Sequence, residues 1–342
     1  NNEIYITLAN QMNNQDLTLL SKEQIWGSNR ESQLEVMKKY ETKAAITDLC
    51  VLTGSYLCEG TDYNIDEDSS LKGRTGWFWT RSYGNFNKVP LINLIGSMQD
   101  RFYDSCLRSV CIVIGSGTSG RLPKYNRIGA VRPVLQSSVI FSQISSNRVR
   151  EYNGIEEVEY GEYPQYAANP IMQRILEFKY NIGMNKTGRS YTFDSVKYND
   201  YDIGFKPVTY LEYKYQGKKY IRIRANSCFD GKKFKLSNGV EYRDGDYVWV
   251  EVSPVRWLID DRTGILVSKL GLVSGIRFLD RNHNYNGDFS RTEMKEYLDK
   301  YMMRDLFQTA IFTCDQDMTP EEEKQIEENN AKTGKKKKKV LK

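Results

Sequence analysis

Short apolar runs separated by glycine, serine and asparagine fill the chain between residues 73 and 135. They include Trp77-Phe78-Trp79, Val89 to Ile95, Val110 to Ile114 and Val131 to Leu135. Runs of this length, bounded by turn-forming residues, are typical of short strands and too brief for long helices. Region 73–135 is therefore predicted to form a small sheet rich in loops.

The second half of the chain combines strand-like runs with two candidate helices. Strand-like runs occupy Val208 to Tyr215, Lys219 to Ala225, Tyr247 to Val252 and Arg256 to Ile259. The run at 247–252 is rich in the aromatic and β-branched residues that suit a sheet. Helices are predicted over Pro170 to Tyr180, where proline suits a first turn, and over 291–312. This half is expected to mix helices with antiparallel sheet.

The two ends of the chain differ in character. Residues 1–45 have apolar spacing that favours helix, and Ser21 with Gln24 three residues on resembles a capping box. Residues 319–342 hold a glutamate-rich run and five lysines with little to bury, which predicts a disordered basic tail. The expected organisation is a first unit over 1–136, a connector over 137–155, a second α+β unit over 156–318, and the tail.

Charge and hydropathy limit the partners. The formal net charge is +5, and Lys335 to Lys339 supply five positive charges alone, so the remainder is near neutral and no nucleic-acid partner is expected. No apolar run approaches the roughly 20 residues that cross a bilayer. The chain starts at Asn1 without an initiator Met, which suggests a removed leader or a fragment. We expect an extracellular or cell-surface location in preference to a cytoplasmic one.

The six cysteines lack CxxC spacing, which argues against a zinc ribbon and a disulfide-dense scaffold. Buried free thiols are the favoured interpretation. Cys50 with Cys58, and Cys106 with Cys111, would be able to pair in an oxidising compartment.

Three short motifs occur in order in the first unit. They are Leu19 to Glu23, Gly76-Trp77-Phe78-Trp79-Thr80-Arg81-Ser82, and Gly129-Ala130-Val131-Arg132-Pro133-Val134-Leu135. Together they resemble an uncharacterised domain family of low-GC bacteria with Trp-Leu-Arg-Ser and Gly-Val-Arg-Pro-Ala-Leu hallmarks, which is similar to the C-type-lectin-like fold of formylglycine-generating enzymes. The chain departs from the hallmarks at Thr80, Ala130 and Val134. The resemblance implies a C-type-lectin-like first unit and no particular activity.

The second unit resembles the same family in shorter stretches. These are Gly161 to Gln165, Trp249 to Trp257, Leu266 to Ser268 and Thr292 to Leu298. The second unit is therefore interpreted as a related or incomplete copy of the first.

The candidate ligand-binding residues are Trp77, Trp79, Arg81 and Arg132. The first three alternate, so on a strand they would share one face, with Arg132 on a neighbouring strand. Aromatic rings beside guanidinium groups suit stacking on a sugar ring or another planar group. The alternative is that both tryptophans are core residues and both arginines bind buried carbonyls or carboxylates.

One segment has the spacing of a calcium loop. Asn282, Asn284, Asn286 and Glu293 fall at ligand positions of an EF-hand, with Gly287 at the turn. An Asn-Gly turn without metal is the favoured alternative, because asparagine replaces the first carboxylate. No other cofactor is expected.

Catalysis has less support in the sequence. His283 is the single histidine, which excludes a three-histidine iron centre. Asp260 and Asp261 are adjacent, so on a strand their side chains would point to opposite faces. We therefore expect them to lie in a surface turn. The chain is therefore predicted to be a non-catalytic module that recognises a carbohydrate or protein at the bacterial surface. The rivals are an assembly protein, which would self-associate, and an enzyme derived from the formylglycine-generating fold, with a redox-active Cys106/Cys111 pair.

Overall fold

The computed structural model of the chain describes fifteen stretches of it. They are 16–27, 32–39, 44–55, 57–58, 75–82, 91–92, 98–99, 129–136, 148–152, 154–180, 190–194, 207–227, 233–276, 278 and 286–311. The tail predicted at 319–342 lies outside these residues.

Within the described residues the fold is mixed α+β, with short helices and mostly antiparallel sheets. The strands are β1 (Asp16–Leu19), β2 (Leu57–Cys58), β3 (Thr75–Trp79), β4 (Leu91–Ile92), β5 (Met98–Gln99), β6 (Gly129–Ala130), β7 (Pro133–Gln136), β8 (Arg148–Tyr152), β9 (Ile155–Ala167), β10 (Ser190–Asp194), β11 (Pro207–Tyr215), β12 (Lys218–Arg224), β13 (Phe234–Lys235), β14 (Glu241–Tyr242), β15 (Tyr247–Asp260) and β16 (Ile265–Ser268). The α-helices are α1 (Lys22–Trp26), α2 (Glu35–Lys39), α3 (Asp48–Leu52), α4 (Pro170–Tyr180), α5 (Glu293–Tyr297) and α6 (Met303–Ile311). A 3₁₀ turn covers Phe289–Arg291, and a π-helical turn, Leu298–Met302, joins α5 to α6.

The largest sheet has nine strands and is organised around β15. The main path runs β1-β7-β16-β15-β12-β11-β10, while β9 also pairs with β15 and β8 pairs with β9. Strand β15 pairs with β12 along its first half, with β16 over its last four residues, and with β9 across its middle, always antiparallel. A smaller sheet holds β2 to β5, with β6 parallel to β3.

The local predictions in the second half are confirmed. Helix α4 covers the predicted Pro170 to Tyr180, and the C-terminal helical region runs from Glu293 to Ile311. Strands β11 and β12 match their predicted runs, and the two runs from Tyr247 to Ile259 merge into the single strand β15. The two runs can form one strand because Pro254, which lies between them, is at a register shift where its missing N–H is tolerated.

The structure corrects the prediction that the N-terminal region is largely helical. The capping box is confirmed, since the Ser21 hydroxyl accepts from the Gln24 N–H and the Gln24 side chain accepts from the Ser21 N–H. The residues before it form strand β1, however, which pairs with β7. Leu17, Thr18 and Leu19 are all buried in that strand, so this short run belongs to a strand covered on both faces.

Strands on both sides of the predicted division at 137–155 belong to one sheet. Strands β1 and β7 from the first predicted unit pair into the same sheet as β16 and β15 from the second. Part of the predicted connector forms strand β8, which pairs with β9. The main cluster of buried apolar residues also draws on both predicted units.

The Gly-Glu-Tyr-Pro-Gln segment, Gly161 to Gln165, fastens β9 to its neighbours. The Gln165 Nε2 amide donates to the Ser253 and Pro254 carbonyls, each at 2.9 Å, at an irregular stretch of β15. The hydroxyl of buried Tyr163 lies 3.0 Å from that of Tyr297 in α5. The motif therefore has a structural role at a bulge, where ladder bonds are interrupted.

Helix α4 is held on the outer face of the β12–β15 pair by two polar side chains. Gln173 bonds both backbone groups of Trp249, donating to its carbonyl at 2.7 Å and accepting from its N–H at 2.9 Å. Glu177 accepts two bonds from Arg222, at 2.9 and 2.7 Å, and one from the Trp249 indole N–H at 2.9 Å. The hydrogen bonds from Arg222 lower the pKa of the Glu177 carboxyl.

Replacing Gly161 by alanine should destabilise the fold through a steric clash. Gly161 has φ +69°, and a Cβ there would lie 2.7 Å from the Leu306 carbonyl oxygen and 2.9 Å from the Phe307 ring. Gly161→Ala is expected to lower the unfolding free energy by about 2–5 kcal/mol in urea denaturation, from backbone strain plus overpacking.

Gly264→Ala is the matched control, because Gly264 has φ +70° with nothing within 4 Å of the added Cβ. It should cost only the backbone strain, about 1–2 kcal/mol. Equal losses in the two variants would show that α6 does not press against β9.

Acid should weaken the attachment of α4. A carboxyl whose folded pKa is lowered stabilises the protein above its unfolded pKa, and that contribution disappears as the pH falls through the folded value. The stability gap between the native chain and Glu177→Gln should therefore be present at neutral pH and shrink below the usual range of glutamate. Glu241→Gln, at a fully exposed pair with Lys233, should change stability little at any pH. A gap for Glu177 that is independent of pH would contradict the proposed ion pair.

Candidate functional site

The structure places the predicted platform residues in the core or against backbone carbonyls. Trp79 is 1% exposed, with its ring centroid 5.4 Å from that of Phe278. Arg132 is also 1% exposed, donates from Nε to the Ser268 carbonyl at 2.9 Å, and lies 5.2 Å from the Phe78 ring centroid. Neither side chain reaches an external ligand in this conformation, which agrees with the alternative interpretation for both.

Trp77 is placed only through its backbone, which pairs with Gly129 of β6. Its side chain lies outside the described part of the structure. A shared face for the two tryptophans of β3 thus stays a prediction from strand alternation.

Arg81 joins two of the sequence motifs. Its backbone N–H donates to the Leu20 carbonyl at 3.0 Å, and its Nε donates to the Leu19 carbonyl at 3.0 Å. The adjacent Ser82 hydroxyl accepts from the Lys22 N–H at 2.7 Å. The end of β3 and the start of α1 are therefore fixed to each other, with Arg81 half-buried between them.

An open pocket of about 480 Å³ lies at this junction. Its lining residues are Ser21, Lys22, Glu23, Arg81, Ser82 and Gly287. Three separate segments singled out in the sequence therefore meet here: the Leu19 to Glu23 motif, the Arg-Ser end of the tryptophan motif, and the Asn-Gly turn of the calcium-like loop. The volume falls within the range of small-molecule sites, although the lining is polar where most such sites are apolar.

Two charged side chains of the pocket, Lys22 and Glu23, lie in the first turn of helix α1. Lys22 and Glu23 keep 45% and 43% of their side chains exposed, and their charged atoms approach to only 3.9 Å. Such an exposed pair contributes little to stability, so both side chains are available to an outside partner. With Arg81 and two serine hydroxyls, the pocket offers both donors and acceptors.

The calcium-like loop is described in part. Asn282 and Asn284 lie outside the described residues, as does His283. The Asn286 side chain accepts from the Asp288 N–H at 3.0 Å, and Gly287 has φ +95°, the geometry of an Asn-Gly turn. Glu293 begins helix α5. Among the described residues, no cluster of three or more potential ligands of the His, Cys, Asp or Glu type is found.

The structure also describes some of the cysteine and aspartate residues that were candidates for catalysis. Cys50 is a buried free thiol whose pKa is raised by burial, which makes it a poor nucleophile. Cys106 and Cys111 lie outside the described residues. Asp260 was expected in a surface turn, but it is fully buried and accepts the Glu35 N–H at 2.5 Å, while Asp261 is exposed. The carboxylate of Asp260 thus caps α2.

Comparisons with protein-family models, curated proteins and solved structures found no match to this chain. In the part of the chain that the structure describes, no helix has both the length and the apolarity to cross a membrane.

Lys22, Glu23 and Ser82 were not chosen from the sequence as binding residues. All three lie at the polar ends of two of the motifs, and only the fold shows that they line the same pocket. The sequence offered one indication of their role, which is that they are polar residues at the ends of apolar motifs, where the chain often leaves the core for the surface.

Trp79→Ala should behave as a core substitution. Removing a fully buried tryptophan is expected to lower the unfolding free energy by about 3–5 kcal/mol, measured by chemical denaturation. Phe178→Ala, at a ring that is 83% exposed, is the control and should change stability little. A neutral effect of Trp79→Ala would mean that the ring is not packed as the structure places it.

Proposed function

We propose that this chain is a non-catalytic recognition module that binds a carbohydrate in the pocket between α1 and the end of β3. The observation that carries the proposal is the meeting of three distant segments around one open, polar pocket. Its residues offer hydroxyl, amine, carboxylate and guanidinium groups, which suit a ligand rich in hydroxyls.

The lining favours binding over catalysis. Among the described residues, the pocket holds no histidine or cysteine, and Glu23 is its single carboxylate. A glycosidase of the usual kind needs two carboxylates across the scissile bond. The available groups instead provide complementary hydrogen bonds from a rigid backbone.

We also propose that the chain is a C-type-lectin-like module exposed at a bacterial surface. Support comes from the order of the three motifs in the first half of the chain and from the mixed α+β architecture with antiparallel sheets. The fold that the motifs resemble occurs in both binding and oxidising proteins, so the pocket, and not the fold, supports a binding role.

Binding of the full chain to an array of glycans and cell-wall fragments tests the proposal. Lys22→Ala/Glu23→Ala should reduce a specific signal by about tenfold or more, since it removes charged hydrogen bonds worth about 1.5–3 kcal/mol each. Both side chains are exposed, so the variant should remain folded, which circular dichroism and urea unfolding check.

Lys233→Ala/Glu241→Ala is the matched control, because it removes another exposed Lys–Glu pair, on the β13–β14 hairpin. It should bind as the native chain does. An equal loss in both variants, or silence across the array, would overturn the carbohydrate proposal. Self-association in sizing experiments, together with that silence, would favour the assembly alternative.

A further inference from the structure

The outer side of helix α4 carries an apolar ridge that nothing in the described structure covers. Ile171 is 72% exposed, Ile175 is 36% exposed and Phe178 is 83% exposed. With a helical advance of about 100° per residue, these positions at i, i+4 and i+7 fall on one stripe. Three large apolar side chains in water on one short helix indicate a contact surface.

Cationic side chains border this ridge on both sides. Around the helix, Arg174 falls on one flank of the stripe and Lys179 on the other, and both are exposed. The Lys179 ammonium, at the C-terminal end of the helix, lies 4.7 Å from the Tyr215 ring centroid. Long basic side chains beside apolar ones can reach toward anionic groups while the ridge is buried.

The acidic residue of the helix is directed away from the ridge. Glu177 is the single carboxylate among the eleven helix residues, and Arg222 and Trp249 bind it on the sheet side. The outward surface of α4 is therefore apolar and positive without a compensating negative charge on the helix. This distribution is the one found on helices that lie in the surface of an anionic bilayer.

The docked face keeps the ridge at a fixed orientation. Leu176 and Tyr180 are buried against Tyr220 and Trp249, and Gln173 binds the backbone of Trp249 at both ends. The helix therefore needs no folding step before contact, which lowers the entropic cost of binding.

A second copy of the chain suits this surface less well. The ridge presents on the order of a few hundred Å² of apolar area, below the roughly 800 Å² per partner of a stable interface. A two-fold pairing of the helices would also bring Arg174 near its symmetry mate without an acid between them. Like charges at such a contact oppose association.

We infer that helix α4 docks peripherally on an anionic lipid surface, with Ile171, Ile175 and Phe178 inserted at the headgroup boundary and Arg174 and Lys179 contacting lipid phosphates. This contact is separate from the carbohydrate pocket and does not depend on it.

Co-sedimentation of the full chain with vesicles tests the inference. The probes are vesicles of phosphatidylcholine containing a quarter phosphatidylglycerol, and vesicles of phosphatidylcholine alone. Binding is expected to the anionic vesicles and to weaken with added salt. Ile171→Ser/Phe178→Ser should lower the partition coefficient by about tenfold or more, since it removes most of the inserted apolar surface.

Two further variants separate the ridge from general positive charge. Lys335 to Lys339 can bind anionic lipid by themselves, so each comparison is repeated with these five lysines replaced by glutamine. Arg174→Glu/Lys179→Glu should lower binding, while Lys233→Glu/Lys235→Glu, the same charge change on the β13–β14 hairpin, should leave it much closer to native.

Three results would overturn the inference. One is the absence of binding once the lysine run is replaced, and another is binding unchanged by the ridge substitutions. The third is ridge-dependent self-association in analytical ultracentrifugation without vesicles, which would assign the surface to a second copy. Unaltered circular dichroism of each variant excludes unfolding as the cause of a loss.

Discussion

The pairing of strand β15 with three other strands is the interaction on which the rest of the fold depends. Its residues form ladders with β9, β12 and β16, so the sheet would separate into pieces without it. The ladder with β9 is irregular near Pro254, and there Gln165 supplies the donors that the backbone does not. Most of the large sheet is thus coupled through one strand and one amide side chain.

Buried charges add contacts between elements that do not pair with each other. Lys269 and Glu157, each 1% exposed, form an ion pair at 2.5 Å between the end of β16 and β9. Buried Asp48 accepts the Ala167 N–H at 2.8 Å and the Ser237 N–H at 2.9 Å, so α3, β9 and the β13–β14 hairpin meet at one carboxylate. Burying a charge is costly unless the charged group is hydrogen-bonded or paired. These bonds therefore favour one arrangement of α3 and the hairpin on the sheet.

The sequence predicted elements whose signals are local and missed relations that depend on distant residues. Pro170 to Tyr180 and the capping box at Ser21 are short-range patterns, and both are confirmed. Nothing in the sequence around Leu17 shows that this residue pairs with Leu135. Because of that pairing, residues that were predicted to be helical form strand β1. Strand alternation likewise groups residues by face but does not tell which face meets solvent, so the buried positions of Trp79 and Arg132 required the structure.

The same limit explains why, among the described side chains, the predicted platform and the pocket share only Arg81. Apolar motif residues such as Leu19, Leu20 and Phe78 are recognisable because they build the core. A binding side chain must instead leave the core, and it gains precision when its backbone is anchored beside core residues. Lys22 meets both conditions, because its side chain is 45% exposed and its backbone N–H donates to the buried Ser82 hydroxyl. The pocket therefore lies where two of the motifs end, and the polar residues at those ends supply its hydrogen-bonding groups.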